Sequence, residues 1–254
     1  MSSAFAMVGT RLDGAVQEYF RNGWDFVSDS GPQVSTTVDR AGALLQLLAQ
    51  HPEGLGITQL TRELGTQRAP LYRILQALAK HELVHRDARK QYLLGVGTLG
   101  LARAYSQQLP VGLEPQLQAL ADETGMSATV NTVDGDSITV VAARTPARNG
   151  EFVVTQPGFR HPVPPDSMRA AVAALEPPRD DDPEIVVEAR RLGYAVGRGH
   201  AIASRYGVTA VVAGSAAHSR PVLILNLASI QPFEHERVAA PLLRTAQAIG
   251  LGLR

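Results

Sequence analysis

The chain has 254 residues and no cysteine. That absence excludes disulfide bonds, zinc sites built on thiolates and cysteine nucleophiles together. No apolar run approaches the roughly 20 residues that a membrane-spanning helix needs, so the sequence predicts no membrane span. The first residues also lack a basic segment ahead of an apolar core, which is the pattern of a secretory signal peptide. We therefore expect a soluble, cytoplasmic protein.

The chain also has no formal net charge, since 24 Lys and Arg balance 24 Asp and Glu. The charges are nevertheless unevenly distributed. Residues 34–108 carry 9 basic against 5 acidic side chains, a net charge of +4, whereas residues 109–254 carry 13 against 15, a net charge of −2. A basic excess confined to one segment is typical of a DNA-binding domain joined to a second domain.

Residues 38–95 have the pattern of three short helices followed by a hairpin. Leucines at helical spacing predict a first helix over Asp39–Gln50, and a second helix begins near Thr58, a candidate N-cap. The second helix stops at Gly65, where a sharp turn needs the positive φ that glycine adopts readily. The third helix is predicted over Gln67–His81, and Pro70 is tolerated in its first turn.

A charged hairpin follows the third helix. Leu83–Arg86 and Gln91–Leu94 are predicted strands, and the residues between them form a charged tip. This order of elements is that of a winged helix-turn-helix, in which one helix enters the major groove of DNA and the hairpin contacts the neighbouring backbone.

Nine side chains of this segment are predicted to contact DNA. On the outward side of the third helix, Arg pairs with guanine, Gln pairs with adenine and Tyr reaches phosphate. The hairpin cations would meet phosphate or the minor groove, and two residues of the second helix would touch the backbone. In that order, the nine residues are Gln67, Arg68, Tyr72 and Arg73, then Arg86, Arg89 and Lys90, then Arg62 and Thr58.

The remainder of the chain changes in character. After a helix over Val96–Leu109, we predict a helix over Leu113–Thr124, a hairpin of Ala128–Val133 and Ile138–Ala143, and a third strand over Glu151–Gln156. The acidic segment at 176–184 is expected to be a solvated loop. Strands in hairpins with helices between them indicate the α+β class with an antiparallel sheet. Further helices are predicted at Ser167–Leu175, Ile185–Leu192 and Phe233–Leu251, and further strands at Val208–Ala213 and Val222–Ala228.

The chain resembles the IclR family of bacterial transcription regulators. The resemblance is carried by VDRAGALLQLLA in the first helix, TQRAPLYRIL in the third helix and RDARKQYLLG in the wing, and more weakly by LADETGMSATVNTVDGDSITVVA, RRLGYAV and LILNLASIQPF. It implies an N-terminal extension (1–37), a winged helix-turn-helix (38–95), a linker helix (96–112) and a GAF-like α/β effector domain with an antiparallel sheet (113–254).

The resemblance implies a sequence-specific transcription regulator, expected to be a repressor, that is controlled by a small-molecule effector. Its partners would be a double-stranded DNA operator and further copies of itself in a homodimer or tetramer. We expect no cofactor and no enzymatic activity. The alternative is an enzyme-like or ligand-independent C-terminal domain carried by the DNA-binding module.

The effector is expected to be a small, partly apolar or aromatic organic acid. A pocket fixes its ligand with a few polar groups on an apolar wall, so polar residues in apolar strands and in the loops beside them are candidates. A simpler interpretation is that Asn226 and Ser229 face solvent. The candidate effector residues are Asn131, Asn226, Ser229, Arg160, His200, Ser204 and Tyr206.

A glycine pattern and three histidines could suggest a nucleotide site and a metal site, but the sequence favours neither. Gly95, Gly97 and Gly100 form G-x-G-x-x-G, but no parallel strand follows at the distance that a dinucleotide-binding unit requires. His161, His200 and His218 lack the short ligand spacing of a metal site. We therefore predict neither a nucleotide site nor a metal site.

Overall fold

A computed structural model of the chain describes residues 35–134, 137–162, 167–198, 206–212 and 222–252. The chain forms two compact units, divided between Leu109 and Pro110. Of the predicted N-terminal extension, only residues 35–37 lie among the described residues. The predicted boundaries at residues 38, 96 and 113 stay predictions.

The N-terminal unit contains the three predicted helices, the hairpin and a fourth helix. The first helix begins at Thr36, three residues before its predicted start, because the amide of Asp39 already donates to the Ser35 carbonyl oxygen at 2.9 Å. The elements are α1 (Thr36–Ala49), α2 (Ile57–Glu63), α3 (Arg68–Lys80), β1 (Val84–Arg86), β2 (Tyr92–Leu94) and α4 (Gly97–Ser106).

A leucine-rich core holds α1, α2 and α3 together. Leu44, Leu60 and Leu71 come from the three helices and are fully buried. Gly65 has a φ of +56°, which confirms the sharp turn between α2 and α3. Because apolar residues recur at helical spacing on the inner side of each helix, the polar side chains between them are left on the outer side.

Two glycines of the G-x-G-x-x-G pattern serve the packing of the hairpin. A methyl group on Gly95 would collide with the carbonyl oxygen of Glu82, and one on Gly97 would lie 2.7 Å from that of His81. The amides of both glycines donate hydrogen bonds to carbonyl oxygens of the segment between α3 and β1. Close backbone approach therefore explains these glycines without a phosphate ligand.

The C-terminal unit is built on a six-stranded sheet. Its strand order is β5-β4-β3-β8-β7-β6, and every neighbouring pair is antiparallel, so the predicted α+β class is confirmed. The elements are α5 (Leu113–Thr124), β3 (Ser127–Asp134), β4 (Ser137–Arg144), β5 (Arg160–Pro162), α6 (Ser167–Ala173), α7 (Glu184–Leu192), β6 (Ala195–Arg198), β7 (Tyr206–Val211), β8 (Val222–Ser229) and α8 (His235–Leu251).

The two faces of this sheet are covered differently. On one face, which we call the α6 face, Val172 of α6 packs with Val133 and Ile224 of the central strands. On the other face lie residues such as Leu225 and Leu227, which alternate with Ile224 along β8 and are also fully buried. Helices α5 and α8 contact the central strands as well as each other.

Three features of this unit differ from the sequence predictions. Glu151–Gln156 is not a strand, because residues 158–162 occupy the free edge of β4 instead. Strands β5 and β6 were not predicted. The acidic segment is a loop with mostly exposed residues, as predicted, but the side chain of Asp182 is 2% exposed and pairs with Arg190 at 2.9 Å.

Within the described residues, no helix is both long and apolar enough to cross a membrane.

Candidate nucleic-acid interface and buried polar cluster

All nine side chains predicted to contact DNA are exposed in the N-terminal unit. Four of them lie at the start and on the outer side of α3, where Tyr72 is 39% exposed. The opposite side of the same helix carries the buried Leu71, Ile74 and Leu75. Because the apolar side of α3 is buried in the core, its polar side points outward, as is required of a helix that enters a DNA groove.

The arginines of α2 and α3 have different partners. The guanidinium of Arg62 pairs with the Glu63 carboxylate at 2.9 Å. Arg68 donates from Nη2 to the hydroxyl oxygen of Thr58 at 3.1 Å. Within the described residues, neither Arg68 nor Arg73 has a carboxylate partner, so both keep an uncompensated positive charge on the outer side of α3.

Thr58 does not cap α2 as predicted. The N-cap is Gly56, whose amide donates to the side-chain oxygen of Gln59 at 2.9 Å. The carbonyl oxygen of Thr58 accepts from the Thr61 hydroxyl at 2.9 Å, within the first turn of the helix. The Thr58 hydroxyl is thus left to contact Arg68.

The wing is the hairpin of β1, β2 and the tip between them. The guanidinium carbon of Arg86 lies 5.4 Å from the centre of the Tyr92 ring, a cation–π distance. Arg89 donates to the Asp87 carboxylate at 3.0 Å and pairs with it. The backbone amide of Gln91 donates to the same carboxylate at 2.8 Å, and these contacts lower the pKa of Asp87.

Lys90 occupies a strained backbone position at the wing tip. Its φ is +66°, in the left-handed region that side chains other than glycine rarely adopt. Its amide donates to the Asp87 carbonyl oxygen at 3.0 Å, and the Asp87 amide donates to the Gln91 carbonyl oxygen at 2.9 Å. These bonds close the hairpin turn and place Lys90, which is exposed, at its end.

The sequence reasoning missed two further exposed residues of the N-terminal unit. Gln76 follows Tyr72 by four positions and Arg73 by three, so it continues the same side of α3. His85 precedes Arg86 by one position on β1 and therefore points to the opposite face of the wing, and its ring nitrogen Nδ1 is 3.1 Å from the Leu94 carbonyl oxygen. The helical spacing was a sufficient signal for Gln76, whereas His85 required the strand register.

A buried polar cluster lies on the α6 face of the C-terminal unit. The Thr209 hydroxyl oxygen is 3.0 Å from the Ser167 hydroxyl oxygen and 2.9 Å from Oδ1 of Asn226. An amide oxygen only accepts, and a hydroxyl has one hydrogen to give. Thr209 therefore donates to Asn226 and accepts from Ser167, which fixes the direction of the chain of hydrogen bonds.

Asn131 belongs to the same face of the sheet. It pairs with Ile224 in the strand register, and Thr129 pairs with Asn226. Nδ2 of Asn131 donates to the Thr129 hydroxyl oxygen at 3.0 Å. Both asparagines are at least 95% buried, so Asn226 does not face solvent as the simpler interpretation held.

The other candidate effector residues lie elsewhere. Ser229 and Tyr206 pair with each other, one position out of phase with Asn226, and therefore belong to the opposite face. Arg160 lies at the edge of the sheet and donates to the Ser137 hydroxyl at 3.0 Å. His200 and Ser204 lie outside the described residues.

Sequence reasoning missed Thr129, Ser167 and Thr209, which complete the polar cluster. Thr129 and Asn131 are two positions apart in an otherwise apolar strand, and this period is the signal that places them on one face. Ser167 had no such signal, because it reaches Thr209 from a helix 42 residues earlier in the chain.

An open groove of about 820 Å³ lies between the end of α5 and the start of α8. Ser229 and Arg237 are among its lining residues, but no member of the polar cluster is. The described part of the chain contains no cluster of three metal-ligating side chains. His161 is described only in its backbone, and His200 not at all.

The exposed cationic helix, the turn before it and the wing define a winged helix-turn-helix protein. The IclR helix-turn-helix domain matches residues 37–88 of the chain. The fold of both units is that of solved IclR-family proteins. The N-terminal unit therefore contains an IclR helix-turn-helix domain, and the chain as a whole is similar to IclR-family transcription regulators.

Three proteins illustrate this relationship. The Pca regulon regulatory protein of Pseudomonas putida is 29% identical over 147 residues, which are 57% of this chain and 50% of that protein. The matched segment thus spans half the length of that relative. An IclR transcriptional regulator from Alicyclobacillus acidocaldarius has a TM-score of 0.74 at 20% identity, with 87% of this chain and 100% of the other covered.

The third protein is an IclR homologue from Microbacterium hydrocarbonoxydans, which was solved in complex with 4-hydroxybenzoate. It has a TM-score of 0.64 at 17% identity and covers 86% of this chain and 99% of its own length. At these identities, the two solved structures establish only the fold of this chain and nothing about its ligands or partners.

Proposed function

We propose that this chain is a sequence-specific transcription regulator that binds a double-stranded DNA operator through α3 and the wing. The observation that carries the proposal is the uncompensated cationic side of α3, where Arg68 and Arg73 are exposed without a carboxylate partner among the described residues. Guanidinium groups of this kind pair with guanine in the major groove, and the wing cations neutralise phosphates beside it.

The operator is identified by selecting from a pool of randomised duplexes with the full-length protein. A gel-shift titration then compares the selected duplex with the unselected pool. Arg68→Ala is expected to weaken binding of the selected duplex by about 1–3 kcal/mol. The matched control is Arg191→Ala, which removes an exposed arginine from α7 in the other unit. Equal affinity of Arg68→Ala and the unchanged protein would remove α3 as the reading helix.

We propose further that the C-terminal unit binds a small, partly apolar or aromatic organic acid and thereby represses or releases transcription. The two buried asparagines on the α6 face support a polar floor within an apolar wall. The neighbour that binds 4-hydroxybenzoate supports the chemical class. In this proposal, Asn131 and Asn226 orient the ligand, and binding alters operator affinity as a coupling free energy between two sites.

Calorimetric titration with 4-hydroxybenzoate, and with benzoate as the analogue that lacks the hydroxyl, tests the effector site. Asn131→Ala is expected to abolish the heat of binding, whereas Ser229→Ala, on the opposite face of the same sheet, is expected to retain it. The rival function is an enzyme-like C-terminal domain, which predicts chemical turnover of the ligand. A ligand recovered unchanged, together with an altered operator affinity, supports the regulator.

A homodimer or tetramer follows from the same proposal. Residues 34–108 of a single copy, with a net charge of +4, offer few phosphate contacts, and two copies related by a two-fold axis would double them on a palindromic operator. Sedimentation of the protein with and without the selected duplex measures this. A monomer that binds a non-repeated site would contradict it.

A further inference from the structure

Thr58 and Arg68 bring the starts of α2 and α3 into contact. The two residues are ten positions apart, and the turn at Gly65 brings them to a distance of 3.1 Å between Nη2 and the hydroxyl oxygen. The first turn of α2 does not use this hydroxyl, because Gly56 and Gln59 form the cap. The Thr58 hydroxyl is thus free of any role in the helix cap and accepts a hydrogen bond from the Arg68 guanidinium.

The chemistry of the contact suits an arginine that has another partner. A guanidinium has five N–H donors in a rigid fork, and a hydroxyl oxygen takes one of them. A guanine base takes two more in a bidentate contact. One donor of Arg68 is therefore held by the protein, while enough remain to read a base.

The neutral partner distinguishes Arg68 from the other arginines of these helices. Arg62 is held by the Glu63 carboxylate, which compensates its charge. Arg73 has no side-chain partner among the described residues and keeps the full freedom of a long side chain. The Thr58 hydroxyl restricts Arg68 without neutralising it, and ordering a long side chain in advance lowers the entropic cost of binding.

We infer that Thr58 is a positioning residue that sets the guanidinium of Arg68 for bidentate contact with one base pair of the operator. This inference rests on the proposed DNA-binding function. It also differs from a direct contact between Thr58 and the DNA backbone, because a positioning residue acts on sequence preference, whereas a backbone contact acts equally on all duplexes.

The test uses the full-length protein with Thr58→Val, which keeps the shape and removes the hydroxyl, and Thr58→Ser, which keeps the hydroxyl. Each variant is titrated against the duplex selected by the unchanged protein and against the randomised pool. Thr58→Val is expected to lose about 3- to 10-fold in affinity for the selected duplex and less than 2-fold for the pool. Thr58→Ser is expected to retain the preference of the unchanged protein.

A second measurement separates this role from a structural one. If the hydroxyl acts through Arg68, then adding Thr58→Val to Arg68→Ala causes no further loss. Thermal melts of the variants verify that α2 is intact. Repeating the selection with Thr58→Val is expected to relax the preference at one base pair per half-site and to leave the other positions unchanged.

Three results overturn the inference. Equal losses on the selected duplex and the pool would make Thr58 a backbone contact, and an unchanged affinity of Thr58→Val for both would deny it any role. Additive losses in the double variant would show that Thr58 acts independently of Arg68. If instead the unchanged protein selects no sequence from the pool, the proposed function itself fails, and that outcome is distinct from these three.

Discussion

The hydrogen-bond chain on the α6 face leads to a quantitative prediction for Thr209→Val. Thr209 is fully buried, and its hydroxyl donates to Asn226 and accepts from Ser167. Valine has the same shape, so no cavity forms and the effect is that of the lost hydrogen bonds alone. Two buried polar groups lose their partner at about 1–3 kcal/mol each. We expect the C-terminal unit to lose about 2–6 kcal/mol of stability.

Ser167→Ala is the matched control in the same chain of hydrogen bonds. It removes the terminal donor, and Thr209 continues to donate to Asn226. Only one acceptor loses its partner, so the expected loss is about 1 kcal/mol. The ratio between the two variants therefore tests the assigned direction of the hydrogen bonds more strictly than either value does.

The assay must report on this unit alone, because a protein of two units need not unfold in one step. Hydrogen exchange of peptides that cover β7 and β8 meets this need. A loss of about 2–6 kcal/mol corresponds to at least tenfold faster exchange when opening limits exchange, since about 1.4 kcal/mol is one factor of ten. Equal effects of Thr209→Val and Ser167→Ala would refute the reasoning, because they would mean that water satisfies the cluster.

Three further predictions concern the N-terminal unit. Gly95→Ala is expected to lower the stability of the N-terminal unit by roughly 1–3 kcal/mol, because the added methyl group collides with the backbone. Gly100→Ala is the control: no atom lies within 4 Å of the added methyl group, so it is expected to stabilise α4 by about 1 kcal/mol. Similar melting temperatures of the two variants would contradict this. Lys90→Gly is expected to raise the stability of the N-terminal unit by about 0.5–1 kcal/mol, because glycine adopts the positive φ without strain. It is also expected to reduce the slope of log DNA affinity against log salt concentration by about one. A lower melting temperature of the variant would contradict the strain at Lys90. The hydrogen bond from the Gln91 amide lowers the pKa of Asp87. This contact therefore stabilises the folded wing at neutral pH, and the stabilisation is lost as the pH falls below about 4. If nuclear magnetic resonance gave Asp87 a titration midpoint at or above that of a free aspartate, the stabilising contact would be excluded.

The helix-turn-helix and wing could be predicted from sequence because their determinants are local. Helical spacing of leucines, a glycine at the turn and charged residues between two short strands act over a few positions each. The outward side of α3 follows from the same spacing, so its exposed residues were identified correctly. The partner of Arg68 and the backbone strain at Lys90 were not predicted, because Thr58 is ten positions from Arg68 and the strain depends on how the turn closes.

The C-terminal unit shows which properties only tertiary structure decided. Its antiparallel class followed from strands in hairpins, but strand order and register depend on pairing between distant segments. A shift of one position moves a side chain to the other face, which is why Asn226 lies in the polar cluster and Ser229 does not. Ser167 joins that cluster only because α6 packs on β7. Sequence alone therefore determined the helices of the N-terminal unit and the exposed side of α3, whereas long-range packing selected the residues that meet in the C-terminal unit.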